Sequence, residues 1–283
     1  MSDDVLAWVE AQTGARPTGR QILSGGCIAS IARLFMPGGA DLVLKSDTAD
    51  AMELEARMLR YLRKESALPV PEVIACDGGR LLMTYIESGG RLGASGEREA
   101  ADHLAALHAI AAPAYGFDHD TVIGGIPQPN GWMAEWPAFF RDRRILYMAD
   151  LCLRRGEIDA SERKRFDRLA DRLEDIIGEA GAPGLIHGDM WGGNVLARDG
   201  RVAGFVDPAI YFADPEIELA YATLFSTFGQ SFFDRYNELR PLRPGFFEER
   251  RDLYNLWHLL NHVYLFGRGY WSGVERILAR FGC

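Results

Sequence analysis

His187-Gly188-Asp189-Met190-Trp191-Gly192-Gly193-Asn194, with Val206-Asp207-Pro208 a short way downstream, is the stretch on which the fold of this chain turns. Asp189 and Asn194 are five residues apart, which suits one tight loop after the apolar Gly184-Leu185-Ile186. Asp207 follows a short apolar strand, residues 202–206, that can fold back beside that loop. A carboxylate, an amide and a second carboxylate in this order suit a loop that takes a proton from an acceptor hydroxyl and holds Mg²⁺ against nucleotide phosphates. Gly, Asn and Asp are also ordinary turn formers, so a polar turn between two strands is the competing reading. The rest of the chain has to choose.

The chain has 283 residues, enough for one large core or two lobes. With 48% hydrophobic and 25% charged residues it has the composition of an ordinary soluble globular protein. A formal net charge of -9 argues against a nucleic-acid partner, which calls for clustered Lys and Arg. No apolar run approaches the roughly 20 residues of a membrane span, and the acidic start Ser2-Asp3-Asp4 lacks the charge of a secretory signal. Cys27, Cys76, Cys152 and Cys283 are dispersed without a CxxC pair, as expected of reduced thiols in a cytoplasmic protein. Oligomeric state is left open.

Hydrophobic patterning divides the chain. Residues 2–12 read as a short capped helix. A hairpin is expected over residues 23–34, a strand over 41–45, a helix over 49–64, and a strand over 80–85 after Pro69 and Pro71. Residues 87–96 are Gly-rich and suit a linker. Beyond it, helical patterns dominate at 97–109, 136–155, 161–178, 215–228 and 246–267, with strand character only around the His187–Asn194 loop. The expected fold class is α+β: a small β-rich lobe over residues 1–87 and a larger, mainly helical lobe over 88–283, with a cleft where they meet.

Only three of the 31 basic residues are lysines, yet Lys45 ends the apolar strand Leu42-Val43-Leu44. From there an ammonium can reach phosphates while its stem packs on the sheet, although an edge-strand lysine that discourages aggregation reads the same way. In the following helix Met52, Glu55, Leu59 and Leu62 share one face, which puts a carboxylate on an apolar stripe. Buried and unpaired, Glu55 would cost several kcal/mol, and Lys45 is the nearest preceding cation. A strand Lys held by a helix Glu is the ion pair that orients a kinase lysine. Gly25, Gly26 and Cys27 form a turn whose backbone N–H groups could approach phosphates, though Gly-Gly between strands is also a plain hairpin turn. There is no Walker A sequence. The strand ending at Thr84 and Ile86 offers backbone groups for adenine.

Taken together, these residues resemble the fructosamine kinase (ketosamine-3-kinase) family, of the aminoglycoside-phosphotransferase-like branch of the protein-kinase-like bilobal fold. The resemblance runs from the Gly-Gly-Cys turn to the last helix. It is strongest at His187–Asn194, at Val206-Asp207-Pro208-Ala209-Ile210-Tyr211 and at Tyr254-Asn255-Leu256-Trp257-His258-Leu259-Leu260-Asn261-His262. It implies ATP and Mg²⁺ as cofactors, Asp189 as catalytic base, Asn194 and Asp207 as metal ligands, and Lys45, oriented by Glu55, on the phosphates. Trp191 and His262 become candidates for contacting the acceptor. The implied reaction is phosphorylation of the sugar 3-hydroxyl of a fructosamine- or ribulosamine-type adduct, free or on protein, after which the adduct would decompose and release its amine. The chain departs from the family at Glu218, where Asp is usual, and at Thr84, where Glu commonly precedes the tyrosine.

Two other signals weigh less. His258 and His262 have the i,i+4 spacing of a metal pair, but no Glu follows the first and no third ligand is in view, so core or acceptor-contacting roles fit better. Cys27, beside glycine N–H groups and near Lys45, could act as an oxidisable switch or be an inert small residue. An aminoglycoside or choline-type phosphotransferase, and a catalytically silent kinase-like binding protein, are the alternatives.

Overall fold

The structure, a computed structural model, describes residues 2–23 and 30–283. Its contacts divide the chain into two units, Met1–His103 with Gly193–Pro208, and Leu104–Gly192 with Ala209–Cys283. Residues 193–208 therefore group with the N-terminal sheet rather than with the helices that surround them in sequence.

In the first unit, Ser2 caps α1 (Asp3–Thr13) and Gly14 ends it in the left-handed conformation. An antiparallel pair forms where the hairpin was expected, but its first strand lies earlier than residue 23: β1 (Gly19–Ile22) pairs with β2 (Ser30–Phe35). Gly25, Gly26 and Cys27, read as a phosphate-facing turn, lie outside the described residues. β3 (Leu42–Ser46), β4 (Val73–Asp77) and β5 (Arg80–Thr84) complete an antiparallel sheet in the order β1-β2-β3-β5-β4. β4 was not expected, because this edge strand is half-exposed and directly follows two prolines. Ala32, Leu34, Leu42, Leu44 and Leu82 bury one face of the sheet with Val9 of α1. α2 (Ala49–Glu65), capped by Thr48, buries Met52, Ala56, Leu59 and Leu62, and α3 (Ala94–His108) belongs to this unit as far as His103. β9 (Val195–Arg198) and β10 (Arg201–Phe205) form a hairpin whose two-residue turn, Asp199-Gly200, has φ of 51° and 77°, as a type I′ turn requires. A bulge between Val202 and Gly204 shifts the register. A Cβ at Gly204 would lie 2.5 Å from Ile86 Cδ1 and 2.9 Å from Pro69 O, so the close approach there needs glycine.

The second unit is mainly helical, but the expected long helices are interrupted. Residues 136–155 become α4 (Trp136–Phe140), a π turn at Arg141–Ile145, and α5 (Leu146–Arg155). The wider turn accompanies Arg144, whose fully buried guanidinium donates to Pro129 O and Asn130 Oδ1 and lies 4.0 Å from the Tyr211 ring centroid. Residues 161–178 split into α6 (Ala160–Ala170) and α7 (Leu173–Ile177), and the last expected helix becomes a π turn at Phe246–Arg250 followed by α10 (Arg251–Phe266). α8 (Glu216–Leu224) ends earlier than its pattern. The short hairpin of β6 (Thr121–Ile123) and β7 (Ile126–Gln128), α9 (Gln230–Leu239) and α11 (Trp271–Arg280) were unforeseen. β8 (Gly184–Ile186) and β11 (Tyr211–Ala213) pair antiparallel, and α10 packs against α5, α8 and α11.

Candidate active site

Lys45 owes its position to strand alternation. Leu42 and Leu44 face the α1 cluster, so Lys45 emerges on the opposite face of the sheet. Its ammonium lies 2.7 and 2.8 Å from the two Glu55 carboxylate oxygens and 2.7 Å from Asp207 Oδ1. Glu55 sits on the apolar stripe of α2, as its spacing predicts, with its side chain only 12% exposed. Burial works against the Lys45 charge. The two carboxylates outweigh it and lift the ammonium above its ordinary range, so it stays protonated at neutral pH.

Asp207 follows β10 with φ of 54°, a left-handed conformation that Asp tolerates better than most residues. Val206 N–H donates to Asn194 O at 3.1 Å, which ties the start of β9 to the residue before Asp207. Asn194 is buried. Lys45, Glu55, Asn194 and Asp207 thus all belong to the first unit. Thr84 N–H donates to Glu72 O and Tyr85 N–H to Asp41 O, so both are used within the sheet; Ile86 is the first candidate position beyond that ladder.

Asp189, Trp191 and His262 belong to the second unit. The loop turns sharply at Gly188, whose φ is 87° and where a Cβ would lie 2.1 Å from Ala209 O. Ala209 N–H donates to His187 O, and Asp189 N–H to His187 Nδ1. Trp191 is 41% exposed, so its ring is not a core residue. His262 Nδ1 is 2.8 Å from His258 O, and its ring sits among Phe225, Phe266 and Tyr270. Burial keeps His262 below the ordinary histidine range, as a neutral imidazole at pH 7. His258 is buried beneath it, and no cluster of three or more His, Cys, Asp or Glu suited to a metal occurs among the described residues.

Two residues that sequence reasoning did not place in the site, Glu218 and His108, hold the backbone that leads into Asp189. Glu218, fully buried on α8, accepts the backbone N–H groups of His187 at 3.2 Å and Gly188 at 2.6 Å, and lies 2.8 Å from His108 Nε2. Burial raises the Glu218 pKa, but these contacts outweigh it and hold the carboxyl below its usual range. Tyr221, one turn further along α8, is buried, and its ring stacks flat on that of His258 with centroids 3.7 Å apart. The only sequence sign was the departure at Glu218; nothing marked His108 or Tyr221.

The family model for fructosamine kinase matches residues 1–281. The protein-ribulosamine 3-kinase, chloroplastic, of Oryza sativa subsp. japonica is 32% identical, over 98% of this chain and 82% of that protein. A solved Thermobifida fusca protein, assigned as a fructosamine-3-kinase, superposes with a TM-score of 0.88 at 28% identity, covering 99% of this chain and 100% of that one. The ADP-bound aminoglycoside phosphotransferase APH(2'')-Ib, 14% identical, shares the kinase-like fold with a TM-score of 0.67, covering 98% of this chain and 97% of that one. Nearly its whole length matched in this way, the chain belongs to the fructosamine kinase family, as a phosphotransferase of the ketosamine-3-kinase type.

Proposed function

We propose that this protein transfers the γ-phosphoryl group of ATP to the 3-hydroxyl of a fructosamine- or ribulosamine-type ketosamine. The observation that carries the reading is the ion triad of Lys45, Glu55 and Asp207, an ammonium held between two carboxylates with its own side chain 7% exposed. In this reading residues 1–87 carry the nucleotide contacts and residues 88–283 the catalytic and acceptor residues. Lys45 holds phosphate oxygens, Glu55 fixes its direction, and Ile86 offers backbone to adenine. Asp189 takes the proton of the attacking hydroxyl. Trp191 and His262 offer an exposed indole and a neutral imidazole among aromatic rings, surfaces suited to the face of a sugar.

Asn194 and Asp207 fit Mg²⁺ in chemistry. Both present oxygen, the donor this hard cation prefers, and one or two protein ligands suffice when phosphates and water complete the shell. Mg²⁺, when bound, would offset phosphate charge. No helix among the described residues is long and apolar enough to cross a membrane. Burial raises the Cys76 and Cys152 thiols to about 11 and about 12, so neither is a ready nucleophile at neutral pH.

The test is ATP-dependent phosphorylation of a ketoamine panel by wild type and Asp189→Ala. Phosphate should appear on the sugar 3-hydroxyl only with Mg²⁺, and the variant should lose about 10²–10⁴-fold in rate. Tight Mg·ATP binding without transfer to any ketoamine would move the acceptor to another hydroxyl, of the aminoglycoside or choline kind.

A further inference from the structure

Arg144 is a cation sealed inside the second unit, and its three acceptors are neutral: Pro129 O at 2.8 Å, Arg143 O at 3.0 Å and Asn130 Oδ1 at 2.7 Å. Burial lowers its pKa, but a guanidinium keeps its protons at neutral pH. Such a charge is costly to bury, so what it holds in place matters. A guanidinium only donates, so Arg144 turns the oxygen of the Asn130 amide toward itself and the nitrogen away. That nitrogen donates to Thr121 Oγ1 at 2.7 Å. Gln128 Nε2 donates to the same hydroxyl oxygen at 3.2 Å, and with its second hydrogen to Ala209 O at 3.2 Å. With both acceptor positions of Thr121 filled, its own hydrogen is left for Ile210 O, 3.3 Å away. Thr121, Gln128 and Asn130 are all buried. The direction of the series from Asn130 to Ile210 thus follows from one charge.

The hydrogen bonds end on two successive carbonyls, and the first of those residues carries the loop. Ala209 N–H donates to His187 O at 2.8 Å, and Ala209 O lies where a Cβ at Gly188 would come within 2.1 Å of it. Asp189 is the next residue. We propose that Arg144 is a positioning residue for Asp189, acting through Asn130 and Thr121 on the backbone of residues 209–210, against which His187 and Gly188 turn. The proposal rests on the reading of Asp189 as the base. Loosening this brace displaces the carboxylate from the acceptor hydroxyl, whereas the nucleotide contacts, carried in the same reading by residues 1–87, are spared.

Two substitutions of Thr121 separate the hydrogen bonds from packing. Thr121→Val keeps the shape and loses the hydroxyl; Thr121→Ser keeps the hydroxyl and loses the methyl. At a temperature where each full-length variant is folded, Thr121→Val should keep its KM for ATP within about twofold of wild type while kcat on a ketoamine falls about 10–100-fold, the scale of a misplaced catalytic group. Thr121→Ser should hold kcat within about threefold of wild type. Arg144→Met removes the head of the series, so its kcat should fall on the same scale. Combined with Thr121→Val it should add little further loss, because both substitutions cut one route. If Arg144→Met does not fold, the Thr121 pair decides. Full kcat in Thr121→Val, a loss confined to Thr121→Ser, or losses that multiply in the double variant would each overturn the positioning role and leave the kinase reading intact. A wild type that phosphorylates no acceptor overturns both.

Discussion

Lys45 shows how one residue can be held for function at a cost to stability. Its ammonium faces two carboxylates, Glu55 and Asp207, so the triad carries a net negative charge in a poorly solvated place. Burial, and to a lesser degree the Asp207 carboxylate, raises the Glu55 pKa, and Lys45 is the cation that opposes them. Lys45→Met should therefore destabilise the protein by about 3–5 kcal/mol, because it strands a buried carboxylate. Adding Glu55→Gln should recover at least half of that loss in chemical denaturation, yet neither variant should phosphorylate a ketoamine. Equal stability of the single and double variants would mean that Glu55 does not depend on Lys45. The pair was legible in sequence, because a carboxylate on the stripe of Met52, Leu59 and Leu62 has to find a cation. The partnership of Asp207 with Lys45 was not: it joins residues 162 apart, and no local pattern encodes such a meeting.

Among the elements, α8 does the most with the least sequence signal. Its residues are buried nearly all round, from Glu216 to Ala222, so hydrophobic periodicity cannot say which face meets the His187–Asn194 loop. Glu218→Gln keeps the shape but replaces one acceptor oxygen by an NH₂ group, which then faces a backbone N–H or His108. A loss of about 2–4 kcal/mol is expected, with kcat falling at least about tenfold because the loop loses its anchor. A stability loss with unchanged kcat would make Glu218 a fold residue only. The same physics explains which elements were legible. α2 and β3 announce themselves by one-sided burial, clear caps and a short apolar run. The π turn at Arg141–Ile145 interrupts a continuous helical pattern without Gly or Pro, for a side chain that finds its acceptors elsewhere in the chain. β6 and β7 are three residues each, too short for alternation to register.

At the scale of the whole molecule, the two units need not respond alike to acid. His258 and His262 both lie in the second unit. Burial pulls His258 well below 6.5, with help from His262 and the Arg144 guanidinium, and its Nδ1 has no hydrogen-bond partner. A group with a depressed folded pKa binds protons more readily when unfolded. Its contribution is therefore intact above the unfolded value near 6.5 and is lost as the pH falls from there toward the folded one. Each such histidine adds a slope of about 1.4 kcal/mol per pH unit within that window. Glu218, held below its usual range, loses its contribution only in more acidic solution, as the pH drops from the unfolded carboxyl value through its own. Five of the six tryptophans, Trp132, Trp136, Trp191, Trp257 and Trp271, report on the second unit, and only Trp8 lies in the first. The fluorescence-detected thermal midpoint should therefore fall steadily between pH 6.5 and 5.5. His258→Phe retains a ring against Tyr221 but cannot take a proton, so it should flatten that fall by about one proton's worth of slope, leaving the share of His262. An unchanged slope in His258→Phe would place the acid-sensitive groups elsewhere in the molecule.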